Sequence, residues 1–154
     1  MDSSVIELYT DGSSRGNPGP GGYGIVLKCG PHYKEISEGY SCTTNNRMEL
    51  LAVIVGLEAI KRKNAVVHIY SDSSYVVKAV NEGWLQKWIL KGLEKQKNPD
   101  LWQRFVNVYR KHRVVFYWIK GHAGHPENER CDELATAAAD GDNLLDDEIG
   151  AMIE

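Results

Sequence analysis

The chain has 154 residues, a formal net charge of −3, and 42% hydrophobic and 25% charged residues, which is typical of one soluble globular domain. It contains no run of about 18 apolar residues and no signal-peptide pattern, so a membrane span and secretion are not expected. Cys29, Cys42 and Cys131 are odd in number and widely spaced, which argues against a disulfide framework or a CxxC zinc site. We therefore expect a cytoplasmic protein with reduced thiols and no membrane partner.

The first third of the chain predicts three strands of an antiparallel meander. Its apolar-rich runs are separated by turn residues and cover residues 5–9, 23–28 and 32–40. Asp11-Gly12 follows the first run as a turn, and residues 16–22 predict a tight loop. Residues 29–31, Cys-Gly-Pro, predict the turn of a hairpin between the second and third runs.

Helices and strands alternate in the rest of the chain. Apolar residues from Met48 to Ile60 recur with helical spacing, and Asn46 and Glu49 have the spacing of a capping box with Asn in place of Ser or Thr. The next elements are a strand over residues 65–71, a short helix over residues 73–82 and a less regular stretch over residues 83–100. They are followed by a helix over residues 100–109 that a capping box at Asp100 opens, a strand over residues 114–119 and a final helix over residues 126–139. This order predicts an α/β fold with a five-stranded mixed sheet, in which the later strands pair in parallel.

Four acidic residues lie in local patterns that place them at strand ends or on helices: Asp11, Glu49, Asp72 and Asp132. Because such positions gather at one edge of an α/β sheet, we expect the four carboxylates to converge. Converging carboxylates repel one another unless a cation lies between them, and hard divalent cations such as Mg²⁺ prefer oxygen ligands. The pattern therefore predicts a metal-dependent site for chemistry on phosphates.

Each acid also has a simpler structural interpretation, which is favoured when that acid is considered alone. Asp11 with Gly12 suits a turn, Glu49 completes a helix cap, and Asp72 caps the next helix, whereas Asp132 is an ordinary solvated helix residue. The joint pattern favours the metal site instead. A zinc pair of histidines at 122 and 125 is disfavoured, because no cysteine or other histidine has a fitting spacing.

These residues, in this order, resemble type 1 ribonuclease H, the small enzymes that cut the RNA strand of RNA/DNA hybrids. The segments that carry the resemblance are residues 9–13, 16–24, 43–50, 72–73, 100–102 and 121–132. The resemblance covers about residues 5–139 and implies a ribonuclease H-like fold with an antiparallel three-stranded meander and flanking helices. It implies a catalytic domain over residues 1–140. The remaining residues, 141–154, form an acidic tail, and their composition and terminal position lead us to expect that it is only partly ordered.

The resemblance implies hydrolysis that leaves 5′-phosphate and 3′-hydroxyl ends. Two Mg²⁺ ions about 4 Å apart would bind the metal ligands and hold the attacking water and the leaving oxygen in line, with Mn²⁺ able to replace Mg²⁺. The ligands would be Asp11, Glu49, Asp72 and Asp132. His122 lies in a glycine-flanked loop and would handle protons or assist product release. The same resemblance implies a monomer.

Substrate binding would involve two groups of residues by the same resemblance. Asn17, Asn45 and Asn46 would contact 2′-hydroxyls across the minor groove, although turn and cap chemistry also favours asparagine. Thr44 would bind a DNA-strand phosphate, and Ser74 stands where the family often has a longer amide side chain, so one base-edge contact would be lost or water-mediated. A basic protrusion at about residues 84–99 would meet phosphates through Lys87, Lys91, Lys95 and Lys97, unless these lysines form only a solvated helix face.

Three other functions fit the sequence less well. A DNA-acting nuclease of the same fold, such as an integrase or resolvase nuclease, would lack the asparagine cluster and the loop at residues 121–125. A non-catalytic module that only binds RNA/DNA hybrids would be expected to lack one of the acids. A nucleotide-binding protein using residues 16–24 is disfavoured, because that segment has no Lys-Ser/Thr phosphate motif and does not open a helix.

Overall fold

Five strands form one mixed sheet in a computed structural model that describes residues 5–120 and 125–147. The strands are β1 (Ile6–Ser14), β2 (Gly19–Cys29), β3 (His32–Thr43), β4 (Val66–Ser71) and β5 (Arg113–Trp118). Their order across the sheet is β3-β2-β1-β4-β5. Pairing is antiparallel from β1 to β3 and parallel from β1 through β4 to β5, so the predicted mixed sheet with its antiparallel meander is confirmed.

Helices cover both faces of the sheet. They are α1 (Asn45–Glu58), α2 (Ser74–Asn81), α3 (Trp84–Lys91), α4 (Pro99–Tyr109) and α5 (Pro126–Ala139), with a short 3₁₀ turn at Leu93–Lys95. Ten of the 14 residues of α1 are buried, because this helix lies between the sheet and α4. Among the described residues, none of the helices has both the length and the apolar character needed to cross a membrane.

Three glycines let α5 approach the other face of the sheet closely. A side chain at Gly22, Gly24 or Gly39 would overlap backbone atoms of α5. Part of the predicted loop at residues 16–22 is strand, since β2 already begins at Gly19 and Gly22 packs beneath the helix. β1 likewise continues to Ser14, so Asp11 and Gly12, which the sequence predicted as a turn, are part of the sheet.

The predicted capping boxes are both wrong. Thr44 caps α1 by accepting a hydrogen bond from the Arg47 backbone N–H, which places Asn46 inside the helix. At α4 the cap position is Asn98, which has a left-handed backbone (φ 57°) and makes no side-chain cap hydrogen bond. Pro99 supplies the first helical residue, a position that proline favours because its fixed φ suits a helix start.

The stretch over residues 83–100 is more regular than predicted. It contains α3, which begins after Gly83, and the following 3₁₀ turn. Leu85 is the buried residue of this helix, and Trp88 and Ile89 on the same helix are partly buried against the core. Trp88 packs edge-on against the fully buried Trp102 of α4, with ring centroids 5.3 Å apart. The protrusion is thus a short helix that is anchored to the core through Leu85 and through the contact between Trp88 and Trp102.

Candidate active site

Three of the four predicted acids meet at one edge of the sheet. Asp11 lies in the second half of β1, Asp72 directly follows β4, and Glu49 lies near the start of α1. Because β1 and β4 are parallel neighbours, these segments run toward the same edge. Each residue offers one carboxylate oxygen, and the three oxygens lie within 4.8 Å of one another.

Gly12 brings β1 against the start of α1. Its backbone N–H lies 2.9 Å from Asp11 Oδ1 and 3.3 Å from Glu49 Oε1, and it donates to both. A side chain at Gly12 would overlap the backbone of Met48 and Glu49. Glycine at this position therefore permits the close approach that joins the two carboxylates.

Two acids of this cluster, Asp11 and Glu49, hold their protons more tightly than ordinary carboxyl groups. Burial, followed by repulsion from Asp72 and Asp132, raises the pKa of Asp11 to about 7. Burial, followed by repulsion from Asp11 and Asp72, raises the pKa of Glu49 well above its usual value. The cluster therefore carries more negative charge than its surroundings balance.

A divalent cation fits this arrangement. Glu49 Oε2 is buried and has no hydrogen-bond partner within residues 5–120 and 125–147. A cation between the carboxylates would give that oxygen a partner and would neutralise the repulsion that raises both pKa values. Oxygen donors alone suit a hard ion such as Mg²⁺ or Mn²⁺ rather than a thiolate-seeking metal.

Asp132 reaches the same region from the opposite face of the sheet. It lies on α5 next to Cys131, whose carbonyl oxygen would overlap a side chain at Gly24. Gly24 is the strand partner of Asp11, so Asp132 is carried toward that residue and contributes to its raised pKa. Asp132 is partly buried and is not a member of the three-oxygen cluster. His122 lies outside the described residues.

The predicted minor-groove asparagines lie together at the start of α1. Asn17 Oδ1 accepts a hydrogen bond from the Asn45 backbone N–H at 3.0 Å, which joins the loop after β1 to the helix. Asn17, Asn45 and Asn46 are all exposed. Thr44 is buried and its hydroxyl caps α1, so its structural role is clear. Ser74 is exposed at the first position of α2, two residues after Asp72.

The predicted basic residues are exposed on and after α3. Lys87 and Lys91 belong to α3, Lys95 ends the 3₁₀ turn, and Lys97 precedes Asn98. None of the four forms an ion pair with another residue in the described part of the chain. Their charges are therefore available to a ligand.

Arg47 is the residue near the site that the sequence did not predict. It lies on α1 between Asn46 and Glu49, and its side chain is 3% exposed and paired with acids distant in sequence. The one feature of the sequence that could have indicated a role for Arg47 is its position as a charged residue directly before the apolar run of α1. Its partners, Asp100 and Asp147, could not be identified without the fold.

Comparisons with known proteins agree with these observations. A family model described as RNase H matches residues 3–140. The ribonuclease H of Desulforamulus reducens is 56% identical over 144 residues, which is 90% of either chain. That of Lachnoclostridium phytofermentans is 56% identical over 155 residues, covering 94% of this chain and 98% of the relative.

Solved structures give the same result. LC9-RNase H1, described as a type 1 RNase H with the type 2 active-site motif, superposes with a TM-score of 0.83 at 29% identity, over 99% of this chain and 82% of that chain. LC11-RNase H1, solved in complex with an RNA/DNA hybrid, gives a TM-score of 0.65 at 31% identity, over 88% and 96% of the two chains. Since the family model spans most of the sequence and the relatives match over nearly their full length, the chain belongs to the ribonuclease H family.

Proposed function

We propose that this chain is an endonuclease that hydrolyses the RNA strand of RNA/DNA hybrids at the acidic cluster, leaving 5′-phosphate and 3′-hydroxyl ends. The observation that carries the proposal is the buried convergence of Asp11, Glu49 and Asp72, with its orphaned Glu49 oxygen. Family membership supplies the enzyme class, and the hybrid complex of LC11-RNase H1 supports the substrate. No serine or cysteine nucleophile is needed, because water is the attacking group.

The metal ligands in this proposal are Asp11, Glu49, Asp72 and Asp132. They would hold two Mg²⁺ ions in the substrate complex, with Mn²⁺ as a substitute. Bound ions of this kind polarise the scissile phosphate and make water a better nucleophile. The protein's own contribution is to orient the ligands: the Gly12 N–H fixes Asp11 and Glu49, and their burial limits competing water. Because burial and neighbouring acids raise the pKa of Asp11 to about 7, a cation that binds near neutral pH would favour the ionised form of this carboxyl.

The substrate contacts are also a proposal. Asn17, Asn45 and Asn46 lie beside the cluster and would contact 2′-hydroxyls, and Ser74 would make a shorter-reaching contact near Asp72. Thr44 would contribute a phosphate contact in addition to capping α1. The exposed lysines at 87, 91, 95 and 97 would bind backbone phosphates, and His122 would handle protons or assist product release.

The test is cleavage of an RNA strand labelled at one end and hybridised to DNA, in Mg²⁺ and separately in Mn²⁺. Asp72→Asn keeps the side-chain shape but removes a ligand charge, whereas Asp142→Asn removes the same charge from an exposed residue of the tail. We expect cleavage by the native chain and by Asp142→Asn only, with duplex DNA and single-stranded RNA left intact.

Other outcomes would identify the competing functions. Hybrid binding without cleavage by the native chain would indicate a binding module, and cleavage of duplex DNA would indicate a DNA-acting nuclease of the same fold. Equal cleavage by the native chain and Asp72→Asn would place the active site elsewhere.

We also propose a catalytic domain over residues 1–140, an acidic tail over residues 141–154, and a monomer that acts in the cytoplasm. The odd number and wide spacing of Cys29, Cys42 and Cys131 support the compartment, because they do not suit a disulfide framework. Sedimentation equilibrium at micromolar concentration tests the monomer, since a mass near twice 17.3 kDa would contradict it.

A further inference from the structure

We propose that Arg47 is a positioning residue that holds the asparagines of α1 in their hybrid-binding orientation. Asp147 in the C-terminal tail fixes the Arg47 side chain by accepting two of its hydrogen bonds. The inference rests on the proposed hybrid-binding role of Asn45 and Asn46. It adds a function for the tail, which would take part in substrate affinity without touching the substrate.

The Arg47 guanidinium uses all five of its N–H donors. Nη1 and Nη2 donate to the two oxygens of Asp100 at 2.9 and 2.7 Å, and Nε and Nη2 donate to the two oxygens of Asp147 at 2.7 and 3.0 Å. Nη1 also donates to Asn98 Oδ1 at 3.3 Å. Two bidentate pairs with carboxylates fix the position of the buried guanidinium more firmly than the single contact of a lysine ammonium could.

Arg47 belongs to the helical turn that carries the predicted hybrid contacts. Its backbone N–H donates to the Thr44 hydroxyl at 3.2 Å, and the Asn45 N–H donates to Asn17 Oδ1 at 3.0 Å. The Arg47 side chain makes a third set of contacts, which joins this turn to α4 and to the tail. Asn45 and Asn46 are therefore exposed side chains on a turn that is anchored at several points.

The tail reaches Arg47 through a short strand-like contact. Leu145 donates its N–H to the Gly39 carbonyl and accepts from the Ser41 N–H, both at 2.8 Å, so residues near 145 run along the edge strand β3. Asp147 then accepts a hydrogen bond from the Thr43 hydroxyl at 2.7 Å as well as those from Arg47. Its side chain is 10% exposed.

Asp146 provides a matched control within the same segment. It is exposed, and its hydrogen bond from the Ser41 hydroxyl is long, at 3.5 Å. Asp147→Asn and Asp146→Asn each change the net charge by one unit at adjacent positions. Any long-range effect of charge on a polyanionic substrate is therefore nearly the same in both variants.

Loss of the Asp147 charge should loosen the turn without disturbing the carboxylate cluster. Arg47 would keep Asp100, but a buried guanidinium with only one acid is poorly compensated. Glu49 retains its separate hydrogen bond from the Gly12 N–H. We therefore expect weaker hybrid binding with little change in the chemical step.

The experiment measures kcat and KM on a hybrid of fixed length, and hydrogen exchange of the amides at residues 45–48. For Asp147→Asn we expect KM to rise about tenfold and kcat to stay within about twofold, with about tenfold faster exchange in this turn. Arg47→Lys should behave in the same way, because lysine keeps the charge but loses the bidentate pairs. Asp146→Asn should match the native chain.

Two results would overturn the inference. A lower melting temperature for Asp147→Asn, with KM and exchange at residues 45–48 unchanged, would show that the tail contact only stabilises the fold. Equal increases in KM for both variants would assign the effect to charge instead of position. If the native chain does not cleave the hybrid, the proposed activity fails, and hydrogen exchange with a hybrid-binding titration still decides whether Asp147 orders the turn.

Discussion

Replacing Asp11 by asparagine should make the metal-free protein more stable than the native chain at pH 8. The variant keeps the shape of the side chain and an oxygen that can accept from the Gly12 N–H. It removes one of the charges that repel one another in the acidic cluster. At pH 8 the native residue therefore lowers the stability of the metal-free protein.

The size of this effect follows from the pKa of Asp11, which rises from 3.8 to about 7 on folding. At about 1.4 kcal/mol per pKa unit, the ionised carboxylate costs the folded state about 4 kcal/mol at pH 8. Asparagine still buries a polar group, so we expect a net gain of about 2–3 kcal/mol. For a chain of this length that gain corresponds to a rise in melting temperature of about 4–12 °C.

The sign of the pH dependence is fixed by the raised pKa. Folded Asp11 binds its proton more tightly than unfolded Asp11, so its stabilising contribution is complete below about pH 4 and is lost as the pH rises through about 7. The advantage of Asp11→Asn should therefore disappear in acid. Saturating Mg²⁺ should also reduce it, because ions that bind only the folded state stabilise the native chain more.

The assay is thermal unfolding followed by circular dichroism in EDTA, from pH 4 to 8, and again in Mg²⁺. Asp142→Asn is the control, since it removes the same charge from an exposed residue and should shift stability by less than about 0.5 kcal/mol. If Asp11→Asn melts at or below the native temperature in EDTA at pH 8, the carboxylates do not repel one another. The electrostatic reasoning for a cation site would then be refuted.

Three further changes test the fold and the interface. Gly24→Ala places a methyl group against the Cys131 carbonyl. It should lower the free energy of unfolding in urea by about 1–3 kcal/mol and should lower kcat, because α5 and Asp132 are displaced. Unchanged values would mean that α5 can shift without loss of stability or activity. Trp102→Phe removes the 2.9 Å hydrogen bond to the Tyr75 hydroxyl and shrinks a fully buried ring, so urea unfolding should show a loss of about 1–3 kcal/mol, and an unchanged midpoint would argue against this contact. Replacing the four predicted lysines, Lys87, Lys91, Lys95 and Lys97, by glutamine should weaken the salt dependence of hybrid binding. In titrations, the slope of log K against log salt should fall by roughly 0.9 per lost phosphate contact, and an unaltered slope would exclude these lysines from the interface.

The sequence predicted the sheet and the acidic cluster because both depend on local patterns combined with a strong rule of topology. Asp72 follows an apolar run that forms β4, and β4 pairs in parallel with β1. Once that pairing is assumed, Asp11 and Asp72 must reach the same edge. Gly12 could not be recognised as more than a turn residue, since its contact with α1 depends on the packing of two elements.

The start of α1 could not be located from local preference. Thr44, Asn45 and Asn46 all favour the cap position, so the local sequence cannot choose among them. The choice is made by β3, which continues to Thr43 and leaves Thr44 as the extended residue before the helix. Arg47 was missed for a related reason: its acidic partners are about 50 and 100 residues away along the chain.

Arg47 and Glu49 give one turn of α1 two opposite electrostatic interactions, attraction to acids at Arg47 and repulsion between acids at Glu49. They are two residues apart, about 200° around the helix, so the two side chains leave it on nearly opposite sides. On one side the carboxylates of Glu49 and Asp11 repel each other and tend to push the helix away from β1. On the other side Asp100 and Asp147 attract Arg47 and fix the same turn to α4 and the tail. The contacts of Arg47 therefore fix this turn of α1 against the repulsion between the carboxylates, which a cation bound between them would reduce.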